Sequence, residues 1–253
     1  MIQVFQTTAD GPASILPEIQ ALDLPYLYKD DKVAECALGG KLLDTVRDQY
    51  LKKSPNVRLM TIGNTGGWRN IATTNKQVKG VADFKGLKIR STAAPTAQDF
   101  IKSLGGTPTP IAWPEVYTSL ATNVVQGTMN SVNDLTSMKF HEFLKYMTID
   151  RHQYMISFWW MNNDVYKKAS PEERKALDDG FAALRDATLR VPKEREKAAY
   201  DTFTKAGGKL YTPTAEERAQ FIKASEGVIE QFTKKNGDVL LKATREAVAV
   251  CEK

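Results

Sequence analysis

Arg90 closes the apolar run Leu87-Lys88-Ile89, which reads as a short strand, and a guanidinium at a strand end is placed to face a cleft. Its planar fork matches the two oxygens of a carboxylate. Val124 to Asn130 reads as a buried strand, and Asn130 emerges at its carboxyl end. Ligands of open α/β sheets gather at that edge. Trp113 lies between them in sequence, just ahead of a short helix opened by Pro114 and Glu115, and suits a pocket wall or a core position equally well.

Reactive constellations are scarce. The histidines are His141 and His152, with no HxxxH or HExxH spacing, and neither cysteine neighbours one, so no metal site and no cofactor are expected. No GxSxG elbow occurs. The paired carboxylates Glu172-Glu173 and Glu216-Glu217 follow Ser170 and Thr214 and read as helix N-termini. Gly63-Asn64-Thr65-Gly66-Gly67 has neither the GK[ST] ending of a P-loop nor the order GxGxxG, so it reads as a flexible turn between lobes. What remains is a cationic pocket without a nucleophile, which suits binding rather than catalysis.

The chain of 253 residues, 42% hydrophobic, is long enough for two modest cores or one large one. Its net charge is +5, yet the 35 basic and 30 acidic residues interleave in stretches such as Pro192 to Lys197. That is the pattern of a solvated helix face, and no nucleic-acid partner is expected. No apolar run is long enough to span a membrane, and residues 1–20 lack the basic start and apolar middle of a secretory signal. Cys36 and Cys251 fit either a disulfide in an oxidising compartment or two thiols.

The elements that must position Arg90 and Asn130 can be read in order. Ile2 to Phe5 is a short strand, and residues 32–52 make two short helices or one broken at Gly39-Gly40. Val57 to Ile62 alternates as a strand. Pro95 opens a helix that ends at Gly105-Gly106, and Thr107 to Pro110 must be extended, because residues before proline are pushed out of the helical region. His152 to Met161 suits a central strand crossing between lobes, with Trp159 and Trp160 on opposite faces. Capping boxes at Ser170 and Thr214 launch helices; Pro192 kinks or breaks the first, and the second stops at Asn236-Gly237. The tail from Val239 to Val250 is helical again.

The block from Asp83 to Asn130 resembles the signature segment of the solute-binding proteins of TRAP (tripartite ATP-independent periplasmic) transporters. The residues that carry the likeness are Asp83-Phe84-Lys85-Gly86-Leu87-Lys88-Ile89-Arg90, Pro108-Thr109-Pro110, Glu115-Val116-Tyr117 with Leu120, and the strand ending Gly127-Thr128-Met129-Asn130. Pro17-Glu18 through Leu24-Pro25-Tyr26-Leu27 resembles a further family segment, one that normally follows a strand–helix–strand unit missing from this chain. The resemblance implies an α/β, two-lobed periplasmic-binding-protein-like fold (type II), with a long kinked helix bridging the lobes. Lobe 1 would comprise residues 1–67 and 156–195, and lobe 2 residues 68–155 and 196–253.

The resemblance also implies a function: capture of a small organic acid in the interlobe cleft and delivery to a TRAP-type membrane permease, by a periplasmic monomer. Arg90 would hold the carboxylate and Asn130 would donate to it. Arg69 would add a second cation, although the stretch from Arg69 to Arg90 is one residue longer than in the family pattern. Trp113 would pack on the carbon skeleton, Thr8 or Asp10 would read polar groups at the far end, and Tyr154 would complete the site. Two-lobed folds also host isomerases, transferases and sensory modules that take such ligands. Dicarboxylates, sugar acids, keto acids and aromatic acids all suit an arginine-anchored cleft.

Overall fold

A computed structural model describes residues 2–253 of the chain. Strand β1 (Val4–Thr7) leads through 3-10 turns, the second spanning Pro17–Asp23, to helices α1 (Asp31–Ala37) and α2 (Gly40–Lys53). Next come β2 (Val57–Thr73), β3 (Lys88–Ser91), α3 (Pro95–Ser103), β4 (Thr107–Pro110), α4 (Val116–Ala121), β5 (Gly127–Asn130) and α5 (Val132–Ser137). The last third holds β6 (Tyr146–Asn162), α6 (Asn163–Lys168), α7 (Pro171–Lys205), β7 (Lys209–Tyr211), α8 (Ala215–Asn236) and α9 (Val239–Cys251).

Two strands of 17 residues each, β2 and β6, run antiparallel as the spine. At one end β6 also pairs with β1, Val4 to Thr7 opposite Met161 to Phe158. At the other, β2 pairs with β5, which lies parallel to β3, itself parallel to β4, while β7 adds to β6. The spine therefore carries strands at both ends and leaves its middle to the cleft. The expected turn at Gly63 to Gly67 lies inside β2 as an irregularity between Asn64 and Trp68. It stays in the strand because the Asn64 side chain accepts from Gly66 N at 2.8 Å and Gly67 N at 2.6 Å, and Gly67 takes φ 102°, which a glycine adopts freely.

Both capping boxes form: Ser170 and Thr214 accept from Glu173 N and Glu217 N, and each glutamate reaches back. Pro192 does not break α7, which continues for 35 residues. The Asn133 amide from α5 donates to the Pro192 carbonyl at 3.0 Å and to Gly66 O at 2.9 Å, tying the helix to β2 at this point. Arg185 fastens α7 further along, donating to Ile62 O and Glu35 O.

The two C-terminal helices pack on different partners. Helix α8 lies on α3, but α9 packs on α1, α2 and the Pro17–Asp23 turn. Its Leu240 and Leu241 join Val33, Ala37, Leu42 and Val46 in the largest apolar cluster. A Cys36–Cys251 disulfide, with Cα atoms 5.9 Å apart, closes the contact. The physical reason is the apolar face that α9 presents and that α1 and α2 leave uncovered.

Candidate functional site

Parallel strands β3 and β5 are neighbours, so their carboxyl ends bring Arg90 and Asn130 to one edge. Arg90 is 5% exposed and Asn130 3%. The Arg90 Nε donates to the Ile111 carbonyl at 3.0 Å and its guanidinium carbon lies 5.4 Å from the centroid of the Trp113 ring. These contacts fix the plane of the fork and leave both Nη groups without a hydrogen bond among the described residues. The Asn130 Oδ1 accepts from Ser131 N at 2.8 Å, which leaves Nδ2 as the donor available to a guest.

Arg69 enters from β2, where it stands opposite Gln153 of β6. Its Nη1 donates to Met129 O at 2.9 Å, anchoring the side chain one residue from Asn130. Among the described residues neither arginine makes an ion pair. Burial lowers the Arg90 pKa to about 10, and repulsion from Arg69 adds to this while Asp10 opposes it. The guanidinium therefore stays charged at neutral pH.

The two guanidiniums separate an open outer compartment of about 680 Å³ from a narrow inner one. Thr8, Asp10, Arg69, Arg90 and Thr92 border both. Trp113, Asn130, Asp134 and Met155 line the outer side; Asp23, Ser91, Phe100, His152 and Gln153 line the inner. Burial pushes the Asp23 carboxyl up to about 7, Asp10 adds to the rise, and Arg69 and Gln153 oppose it. Asp134 is also raised by burial, against the pull of Arg69 and Ser131. Behind Phe100, His152 Nδ1 meets the buried Asp150 carboxylate at 2.9 Å, and the Tyr26 hydroxyl donates to the same oxygen at 2.9 Å. Among the described residues no group of three or more potential metal ligands occurs, and no helix is long and apolar enough to cross a membrane.

The family model for bacterial extracellular solute-binding protein, family 7, also termed DctP, matches residues 3–236. The chain belongs to this family. Among relatives of this family-7 protein, the 2,3-diketo-L-gulonate-binding periplasmic protein YiaO of Escherichia coli is 29% identical, over 97% of this chain and 74% of the relative. The C4-dicarboxylate-binding periplasmic protein DctP of Rhodobacter capsulatus is 27% identical over 94% of this chain and 71% of its own length. A crystal structure of a TRAP periplasmic solute-binding protein from Bordetella bronchispeptica, with density assigned to pantoate, superposes with a TM-score of 0.87 at 26% identity. It covers 97% of this chain and 80% of that one. The fold is thus the two-lobed α/β fold of TRAP solute-binding proteins.

Six of the seven side chains named from the sequence of this family-7 protein line one cleft: Arg90, Asn130, Arg69, Trp113, Thr8 and Asp10. Tyr154 does not. It faces the opposite side of β6 from Gln153, its ring edge-on to Trp68 at 5.2 Å and to Tyr28 at 6.3 Å, with its hydroxyl on Glu35 Oε1 at 3.3 Å. Gln153, its neighbour on β6, lines the inner compartment. Asp23, Ser91 and Asp134 were missed; Asp134 follows Ser131, the N-cap of α5, and Ser91 directly follows Arg90, so both had a local signal. Asp23 ends a 3-10 turn and has no periodic signal at all.

Proposed function

We propose that this chain is the periplasmic binding component of a TRAP transporter and that it captures a small organic acid between its lobes. The observation that carries this reading is the pair Arg90 and Arg69: two guanidiniums at the edge of one cavity, neither in an ion pair among the described residues. A ligand carboxylate supplies the missing partner. Arg90 takes it through two parallel N–H donors, Arg69 adds a second cation, and Asn130 Nδ2 donates to it. Trp113 packs on the carbon skeleton, while Thr8 and Asp10 meet polar groups at the far end. Relatives whose names give a diketo-gulonate or a C4-dicarboxylate as ligand support the same class of guest.

The spine strands supply the pivot in this reading. Residues 1–67 with 156–195 form one lobe, joined by α9, and residues 68–155 with the chain from 196 through α8 form the other. Closure about β2 and β6 seals the acid from water. The loaded monomer then delivers it unaltered to a TRAP-type membrane permease.

A thermal-shift screen of organic acids on the purified chain tests the proposal. Ligand at about 100 times Kd is worth about 2.7 kcal/mol to the folded state. The expected result is a raised melting temperature with at least one carboxylate, none with neutral sugars of equal size, and recovery of the acid unchanged. A response to neutral sugars alone, or conversion of the acid, overturns it.

A further inference from the structure

The pairing of β2 with β6 has its widest mismatch next to Arg69. Arg69 stands opposite Gln153 and Ile71 opposite Thr148, so β2 advances two residues while β6 covers five. The surplus holds Asp150, Arg151 and His152, and Arg151 takes φ 48°, the left-handed region that a side chain with a Cβ resists. Its backbone N–H donates to Asn70 Oδ1 at 3.1 Å rather than to a strand partner. An interrupted ladder bends more readily than a continuous one. The interruption lies between the part of β6 that pairs with β1 and the part that pairs with β7.

The Arg151 side chain is tied down on the face of the spine away from the cleft. Arg69 and Gln153 line the inner compartment, whereas Trp68 and Tyr154, one step along each strand, face the opposite side. There the Arg151 guanidinium carbon lies 5.0 Å from the centroid of the Trp68 ring, and Nη2 donates to Asp31 Oδ2 at 3.0 Å. Trp68 Nε1 donates to the other oxygen of that carboxylate at 3.1 Å. Asp31 begins α1, which packs on α9, while Arg151 follows Thr148, the last β6 residue paired with β7. The ion pair thus joins the two halves of the molecule behind the interruption.

We infer that the Asp31–Arg151 pair is a clasp that favours the open cleft and must be stretched when the lobes close. This rests on the reading of the chain as a hinged binder and adds a control on its affinity. Bending that narrows one face of a two-stranded spine widens the other, and the pair lies on the widening face. A binder that closes only part of the time has its apparent affinity reduced by that fraction. A contact specific to the open form therefore weakens binding without touching the guest. The two side chains are 39% and 29% exposed, so water screens them and the clasp changes affinity only a few-fold.

Calorimetry on the full chain tests this with Asp31→Asn, Arg151→Gln and the double variant. The probes are succinate, galactonate, glucuronate and pantoate or, failing these, an acid that responds in the thermal screen. Each single variant is expected to bind about two- to fivefold tighter than wild type, and the double variant no tighter than either, since one clasp is lost once. Arg151→Lys keeps the charge and is expected to fall between wild type and Arg151→Gln. A role in packing alone predicts the other sign, a lower melting temperature with equal or weaker binding. The closed fraction of unliganded molecules, read by single-molecule energy transfer between dyes on α2 and α4, is expected to rise in Asp31→Asn by the same factor as the affinity. Unchanged or weaker binding in Asp31→Asn overturns the clasp and leaves carboxylate capture standing. If no acid binds wild type, carboxylate capture falls and the closed fraction alone decides: one that does not rise overturns the clasp too.

Discussion

The Arg90 guanidinium carbon stands 5.4 Å from the centroid of the Trp113 ring, and the same ring lies 5.1 Å from that of Phe140. Trp113 is thus half wall and half core. One edge anchors in the cluster around Phe140 and Leu120, and its π-face helps hold the cation that reaches the cleft. The two readings of this tryptophan in the sequence describe two sides of one side chain.

Arg90→Ala removes the fork. Two charge-assisted hydrogen bonds at about 1.5–3 kcal/mol each amount to roughly a hundredfold to ten-thousandfold loss of affinity for the acid found in the thermal screen. Arg90→Lys keeps the charge without the planar pair and falls between. Calorimetry reads both, and unchanged affinity in Arg90→Ala rejects the assignment.

Asp23 makes stability depend on pH. Its folded value of about 7 lies above the ordinary 3.8, so the protonated form favours folding. That contribution is complete below pH 3.8 and is lost as pH rises through about 7. Between pH of about 6 and 8 the loss is about 1 kcal/mol. Asp23→Asn keeps a neutral amide, so the difference in urea midpoint between wild type and variant is expected to grow with pH; a difference that stays flat refutes it.

Much of this arrangement was legible. Arg90 and Asn130 sit near the ends of β3 and β5, which Leu87 to Ile89 and the stretch before Asn130 announce, although β5 begins at Gly127 and not at the exposed Val124; Pro95 and the capping boxes mark their helices in local chemistry. Long-range partners were not legible. Nothing near Gly63 announces that Asn64 will fold over the following glycines and keep the strand going, and Tyr154 lies on the far face of β6 from Gln153 because one step along a strand reverses the side chain. Asp23 owes its place to β6 and Arg69, both far away in sequence.

Gly63 lets β2 approach α7. A methyl group there collides with the Thr188 hydroxyl and comes within 3.2 Å of Ser157 Oγ. Gly63→Ala is expected to cost about 1–3 kcal/mol in urea denaturation, and Thr188→Ala in the same chain to return part of it. Additive losses in the double variant would show that the two positions do not press on each other.

Opening the Cys36–Cys251 bond releases a loop of 215 residues. Chain entropy puts the stabilisation at about 5 kcal/mol as an upper figure, with about 2–5 observed for native bridges. Cys36→Ser is expected to lower the melting temperature and to raise amide exchange first in α9, α1 and α2, as read by mass spectrometry. Exchange that rises equally throughout the chain contradicts a local clasp.

The same clasp orders events in time. Helices α1 and α2 are made early, yet the surface that covers them is α9, whose Cys251 follows Cys36 by 215 positions. While a ribosome is still at work, that early layer has no lid, and it waits with its leucines and valines uncovered. The covering of α1 and α2 is deferred to the arrival of α9, so a chain threaded in one direction leaves those two helices open until Cys251 has come through.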